Sequence, residues 1–428
     1  MTGVCVNKRS FLFLQGVASP FFDRLASAIR SADAQTCRVV FCGGDALFHR
    51  HGDIRRFTGK VEELDEYYAG LFDELKVSDI VLFGDTRPVH IPAITLAKKL
   101  GIEVHVYEEG YLRPDWVTLD SGGVNAYSPL ANKDPNYFRQ RAKEVPSGVG
   151  SNKTGYSQWI RLFHDLRYNT ARISDSFRFS NYERHRLDHP IKEYLGWVRR
   201  YPVLIPLSWH AKYQVKKLID DNVNYYVYPL QLAGDSQIRV HSPFLDVNQA
   251  TIEILHSFAK HAPKNTKIIV KNHPLDTGVS KCRKITRQVS RELGIEERVV
   301  FIDGGHLPTL FQNALATVVI NSTTGMSSLF HGCPTITLGK ALYNMPGLTF
   351  QRGLDEFWRR SKKGDEKLYR DFRDVVVNDT QINGNFYTSQ GIAMTVSESL
   401  KRLGVTAQKS GSLSRESSMT TMSIEVTT

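Results

Sequence analysis

Residues 104–116 read VHVYEEGYLRPDW, an apolar run that ends in two adjacent glutamates and a glycine. A carboxylate at the C-terminal end of a buried strand stands where open α/β sheets place their chemistry. Val104, His105, Val106 and Tyr107 have the β-branched and aromatic content of a strand. Glu108 and Glu109 cannot both be buried as anions side by side, because their repulsion favours a proton on one of them. One is expected to face the interior or a basic partner, and the other a cleft. A slip of one residue in strand register exchanges them, so both stay candidates for general acid or base work. A generic Glu-Glu pair marks a solvated strand end; Gly110 and the aromatic-basic run Tyr111-Leu-Arg-Pro-Asp-Trp116 argue instead for a shaped loop.

Three further clusters could join them. Gln231-Leu-Ala-Gly-Asp235 follows the strand-like run Tyr225 to Leu230. Asp235 there suits either an Asx-type turn or a nucleophile facing the glutamates across a cleft. Lys271-Asn-His-Pro274 follows another buried strand: Lys271 and His273 could contact a phosphate or a ribose, and Pro274 holds His273 extended. Asn321-Ser-Thr-Thr-Gly325 lies between a strand and a helix. Ser322, Thr323 and Thr324 serve either as helix caps or, with the free N–H groups up to Gly325, as an anion site.

The elements that must position these residues alternate. Arg9 to Leu14, Cys37 to Cys42, Ile80 to Phe83 and Ile102 to Tyr107 read as strands, separated by helical runs at Phe22 to Ser31, Val61 to Leu75 and Pro92 to Leu100. Such alternation predicts parallel βα units with helices on both sheet faces. Residues 138–200 break the rhythm and read as mostly helical. From Tyr201 the alternation is expected to return, with strands at Tyr225 to Leu230, Lys267 to Lys271, Val299 to Ile302, Thr317 to Ile320 and Thr335 to Leu338. The expectation is an α/β chain: a first domain over residues 1–200 with a helical insertion at about 138–200, a second over 201–405, and a disordered Ser/Thr-rich tail over 406–428. Two doubly wound, Rossmann-like domains facing a central cleft resemble the GT-B architecture.

Bulk properties narrow the classes. The 428 residues exceed one ordinary core. No run approaches a membrane span, and the start shows no cleavage-site pattern, so a cytoplasmic location is expected. The five cysteines, Cys5, Cys37, Cys42, Cys282 and Cys333, have no metal-ligand spacing and are expected as reduced thiols. The net charge is +11, and between Phe138 and Arg200 thirteen Lys/Arg oppose six Asp/Glu. That segment also holds Tyr156, Trp159, Phe163, Tyr168, Phe177, Phe179, Tyr182, Tyr194 and Trp197. Basic residues interleaved with aromatics suit an anionic membrane surface or a nucleic acid, or else a helical subdomain with a solvated face. Without a nucleic-acid motif, lipid is the preferred partner.

Taken together, the segments Phe11-Leu-Phe-Leu-Gln-Gly16, Phe41-Cys-Gly-Gly-Asp45, Leu82-Phe-Gly-Asp-Thr-Arg-Pro88, Tyr107 to Trp116, Pro229 to Gln237, Lys271 to Pro274 and Asn321 to Gly325 resemble the KpsS/LipB-type capsule polysaccharide proteins. The likeness runs to about Arg402. It implies a retaining β-Kdo glycosyltransferase that moves Kdo from CMP-β-Kdo to phosphatidylglycerol or its lyso form and starts the poly-Kdo linker of an exported capsule. It implies Asp235 as nucleophile, Glu109 as acid or base, and Gln231, Lys271, His273, Pro274, Ser322, Thr323, Thr324 and Gly325 about the donor. Arg87, Arg113 and His105 are candidate contacts to the Kdo carboxylate or a lipid phosphate, with surface or structural roles equally open. No metal or other cofactor is expected, since the donor is itself activated. The implied setting is the cytoplasmic face of the inner membrane, held peripherally by anionic lipid among other capsule biosynthesis and export proteins. Two alternatives remain: a chain-extending β-Kdo transferase acting on a saccharide, and a non-catalytic capsule assembly factor.

Overall fold

A computed structural model describes residues 8–183, 190–232, 234–278 and 280–405. The expected tail at 406–428 and Cys5 lie outside them. Within the described residues the strands are β1 (Ser10–Phe13), β2 (Gln35–Val40), β3 (Asp53–Arg56), β4 (Asp79–Phe83), β5 (Glu103–Glu109), β6 (Trp116–Ser121), β7 (Tyr225–Pro229), β8 (Lys267–Lys271), β9 (Val299–Ile302), β10 (Ala316–Val319), β11 (Thr335–Thr337) and β12 (Gln381–Asn383). They form a seven-stranded sheet ordered β12-β6-β5-β4-β1-β2-β3 and a five-stranded sheet ordered β11-β10-β7-β8-β9. The second sheet is parallel throughout. The first is parallel from β5 to β3, while β6 runs antiparallel to β5 and to the edge strand β12.

Side-chain alternation explains why the inner strands are continuously apolar. Phe11 and Phe13 of β1 point to a core shared with Phe21, Phe22 and Tyr107, whereas Leu12 and Leu14 point to one with Val39, Tyr68 and Leu82. Helices cover both faces, so every position of β1, β4, β7 and β10 is buried. The result is the expected GT-B-like pair of doubly wound units.

Two sequence-based boundaries move. The alternation does not resume at Tyr201, because one helix runs through Pro190–Asp220 with Pro202 and Pro206 inside it. Ala211, Val215 and Leu218, spaced by three and four, seat its C-terminal half on the second sheet beside Val227 and Ile302. The division at 201–405 is also not the one the sheets draw. β12 pairs with β6, and Phe386, Ile392 and Leu403 join Phe11 and Phe21 in the first core. The chain therefore crosses back to finish the domain in which it began. A further apolar cluster, with Tyr111 and Phe138 against Met326, Leu342 and Phe372, packs the two units together.

Candidate active site

Both glutamates lie inside β5, opposite Thr118 and Val117 of β6, and so point to opposite faces. Glu109 shares the face of Tyr107. Its Oε1 accepts from the Tyr387 hydroxyl at 2.7 Å and meets Arg161 Nη1 at 3.1 Å. Burial alone would raise its proton affinity. Arg161, Arg113 and the Tyr387 hydroxyl outweigh that and hold it below the usual carboxylate value. Among the described residues Glu108 has no such partner, and its Oε1 accepts the backbone N–H of Glu109 at 2.9 Å. Burial, with the neighbouring Glu109 charge adding to it, pushes Glu108 up to about 7, against Arg87 and Arg113. Two adjacent carboxyls of one strand thus differ at neutral pH: one is a fixed anion and the other holds or releases a proton.

In the second unit, Gln231 ties two loops together. Its Nε2 donates to Asp235 Oδ2 at 3.2 Å and to Asn321 Oδ1 at 2.9 Å, and its Oε1 accepts from the Asn321 N–H at 3.2 Å. Asp235 Oδ1 accepts from the Gln237 N–H at 3.0 Å, capping the short Ser236–His241 helix. The turn geometry expected of an isolated Asp is thus formed. It fixes the carboxylate without using all its lone pairs.

Lys271 ends β8 buried, its proton affinity lowered by burial and partly restored by Asp303. His273 Nδ1 accepts from the Leu275 N–H at 3.1 Å, which leaves the ring proton on Nε2. Burial first, then Lys271 and Arg113, pull His273 down to about 4, so the ring is a neutral donor at pH 7. Pro274 opens the turn that follows. After β10, Ser322 Oγ donates to Thr324 Oγ1 at 2.9 Å and accepts from the Thr324 N–H at 3.1 Å. Thr323 precedes the Thr324–Phe330 helix without a side-chain cap bond. Gly325 is required there, since a Cβ would stand 2.1 Å from the Tyr343 hydroxyl.

These loops meet at the C-terminal edges of both sheets. Ser236, next to Asp235, touches Thr86 of the loop after β4, Oγ to Oγ1 at 3.3 Å. Tyr127 stacks edge-on to His241 at 4.5 Å. The electrostatic reach of Arg113 and Arg161 to both Glu109 and His273 joins β5 to the β8 loop. Arg113 is exposed, with Nε donating to the Gly110 carbonyl at 3.2 Å. Two other candidates are structural. His105 Nε2 pairs with Asp79 at 2.8 Å, and Asp79 opens β4 at the opposite edge of the sheet. Arg87 Nη1 donates to Gln15 Oε1 and the Gly16 carbonyl, both at 3.1 Å.

Arg161, Tyr387 and Asn321 were not singled out from sequence. Asn321 sat in a recognised segment. Arg161 lay among residues assigned to a membrane surface, and Tyr387 lies more than 250 residues from its partner Glu109.

The family description "Capsule polysaccharide biosynthesis protein" matches residues 78–387. The chain is 35% identical over 392 residues to the capsule polysaccharide export protein KpsS of Escherichia coli, covering 90% of this chain and 98% of that one. It is 32% identical over 399 residues to the capsule polysaccharide modification protein LipB of Neisseria meningitidis serogroup A, covering 89% and 92%. The solved β-Kdo 2,7 transferase of Thermosulfurimonas dismutans KpsC aligns over 92% of this chain and 100% of its own, at TM-score 0.43 and 15% identity, a likeness too distant to carry an inference. The matches to the family and to KpsS and LipB along nearly the whole chain establish that it belongs to the capsule polysaccharide biosynthesis proteins of the KpsS/LipB type.

Proposed function

We propose that this protein is a retaining β-Kdo transferase that moves Kdo from CMP-β-Kdo to phosphatidylglycerol or its lyso form, beginning the linker of an exported capsule. The observation that carries the reading is the split between Glu108 and Glu109, on a sheet edge whose β4 loop touches Ser236 beside a fixed Asp235. Retention needs a nucleophile on one side of the sugar and a proton handler on the other. In the first step Asp235 Oδ2 attacks the anomeric carbon of Kdo, the bond to the CMP phosphate breaks, and CMP leaves as an anion. Lys271 supplies charge to that phosphate, and His273 Nε2–H with the Ser322, Thr323 and Thr324 hydroxyls supplies hydrogen bonds. In the second step the acceptor hydroxyl displaces Asp235, which leaves as a carboxylate, and its proton passes to the glutamate pair. Glu108, with its affinity near neutral, is the proton's resting place; Glu109 keeps Arg161 in position. The enzyme works on the cytoplasmic face of the inner membrane beside other capsule proteins.

The test supplies CMP-Kdo generated in place and vesicles containing a fluorescent phosphatidylglycerol. A Kdo-lipid product from the wild type that disappears in Asp235→Ala supports the reading. Absence of that product while the wild type consumes CMP-Kdo on a saccharide acceptor refutes the lipid assignment.

A further inference from the structure

The Gln158–Ser174 helix is turned inside out. A surface helix normally buries an apolar stripe and exposes charge. Here the inward positions are polar: Arg161 reaches Glu109, His164 Nε2 contacts the Tyr387 carbonyl at 3.2 Å, and the Tyr168 hydroxyl donates to Asp45 at 2.9 Å. The outward positions are Trp159, Leu162, Phe163, Leu166 and Ile173, 69%, 47%, 57%, 49% and 44% exposed, continued in the next turn by Phe177 at 72%. Their spacing of three, four and seven places them on one side. The helix is seated closely, because Gly43 and Gly44 let it lie against the short Gly43–Leu47 helix that follows β2. A Cβ on Gly43 would stand 2.4 Å from the Ala171 carbonyl, and one on Gly44 2.7 Å from the Tyr168 ring. The apolar face is therefore held in water by a polar underside.

We propose that this outer face docks on an anionic lipid bilayer, its aromatic and aliphatic side chains entering the headgroup boundary. Charge complementarity selects the occupant. From Lys153 to Arg178 five Lys/Arg oppose two Asp/Glu. Arg167 lies over Phe163 at 5.5 Å and Arg178 over Phe177 at 5.3 Å, so cations rim the apolar side chains as at a membrane interface. A second copy placed face to face would bring the same arginines together. The helix also links this face to the candidate site, since Arg161 on its underside pairs with Glu109. A headgroup admitted beside the helix arrives at the carboxylate pair while its acyl chains stay in the bilayer. The proposal rests on the lipid acceptor of the reading above for its purpose, but not for the docking itself.

The test compares the full chain with the triple variant Trp159→Ser, Phe163→Ser, Leu166→Ser, and with Leu245→Ser, which removes an apolar side chain 77% exposed elsewhere. Binding is read by co-sedimentation with phosphatidylglycerol/phosphatidylethanolamine vesicles and with phosphatidylcholine vesicles. Oligomeric state comes from sedimentation velocity, and folding from circular dichroism. The wild type and Leu245→Ser are expected to bind the anionic vesicles, less tightly as salt rises, and to ignore the zwitterionic ones. The triple variant should fold normally and bind at least roughly thirtyfold more weakly. Undiminished binding by the triple variant overturns the proposal. So does a wild-type dimer that ignores vesicles and becomes monomeric in the triple variant, which would make the face an interface between copies. Loss of vesicle binding in the triple variant, with no Kdo transfer by any form to vesicular or short-chain soluble phosphatidylglycerol, upholds the docking and refutes the reaction.

Discussion

The two sheet edges that meet at the candidate site are built on opposite principles. At the end of β5 the design is electrostatic: two half-buried carboxyls stand in succession on opposite faces of the strand, one tied to Arg161 and Tyr387 and the other left to hold a proton. At the ends of β7 and β10 it is geometric: the Gln231 amide joins Asp235 to Asn321, and each group is fixed by hydrogen bonds to loop neighbours. A group that must gain and lose a proton benefits from a tuned affinity. A nucleophile that must stay ionised benefits from being held still in a polar setting. On the proposed mechanism, proton handling falls to the first unit and bond formation to the second.

The sharpest way to break that division is Asp235→Ala. If the second unit supplies the nucleophile, transfer should fall by about 10⁴-fold. The fold should lose only the cap of a short helix, about 1 kcal/mol. A rate within tenfold of wild type would remove the nucleophile from the second unit.

Arg161→Ala attacks the other side. Glu109 loses the cation that outweighs its burial, so its carboxyl should climb toward neutrality and transfer should drop about a hundredfold. Stability should fall by about 2 kcal/mol, less than for a fully buried pair because Arg161 remains one-third exposed. Chemical denaturation and initial rates measure the two effects together; an unchanged pH profile would show that Glu109 does not depend on Arg161.

Glu108→Gln separates proton handling from charge. The folded state raises the Glu108 affinity from its ordinary 4.5 to about 7. Stability from that carboxyl is therefore full below pH 4.5 and lost as pH rises through 7. The glutamine variant does not share the loss, so its stability relative to wild type should grow by about 3 kcal/mol between pH 4 and pH 8. In the wild type, transfer should rise through about pH 7 as Glu108 becomes a base, and the variant should lack that limb. Parallel stability curves would place the titrating proton elsewhere. A smaller effect is expected for Gln231→Leu, which removes the bond that orients Asp235 but leaves its carboxylate; about a tenfold loss of transfer with an unshifted pH profile would fit a positioning role.

Much of this was legible in the chain because the parallel strands are buried on both faces and read as apolar runs. β7, β8 and β9 fell where the pattern put them, and the segments with Asp235, His273 and Ser322 followed strands as expected, whereas Glu108 and Glu109 lie inside β5 rather than after it. β12 was not legible, since Gln381-Ile-Asn383 is too short to carry a period and earns its place through pairing with β6. Tyr387 was hidden with it. The basic-aromatic segment 138–200 was legible only in part: its aromatics suit either core or membrane, and the structure divides them. Tyr168 and Tyr182 bind Gln15 within the protein, while Trp159, Phe163 and Phe177 face outward. A helical period shows which residues share a face, but not whether that face is turned to the core.

The most direct test of the account is mass spectrometry of the protein mixed with CMP-Kdo while acceptor is withheld. The account predicts one Kdo residue bound covalently to the peptide carrying Asp235, discharged when phosphatidylglycerol is added and absent in Asp235→Ala. Turnover of CMP-Kdo with the Asp235 peptide unmodified, in the wild type and in the slowed Glu108→Gln variant alike, would contradict it.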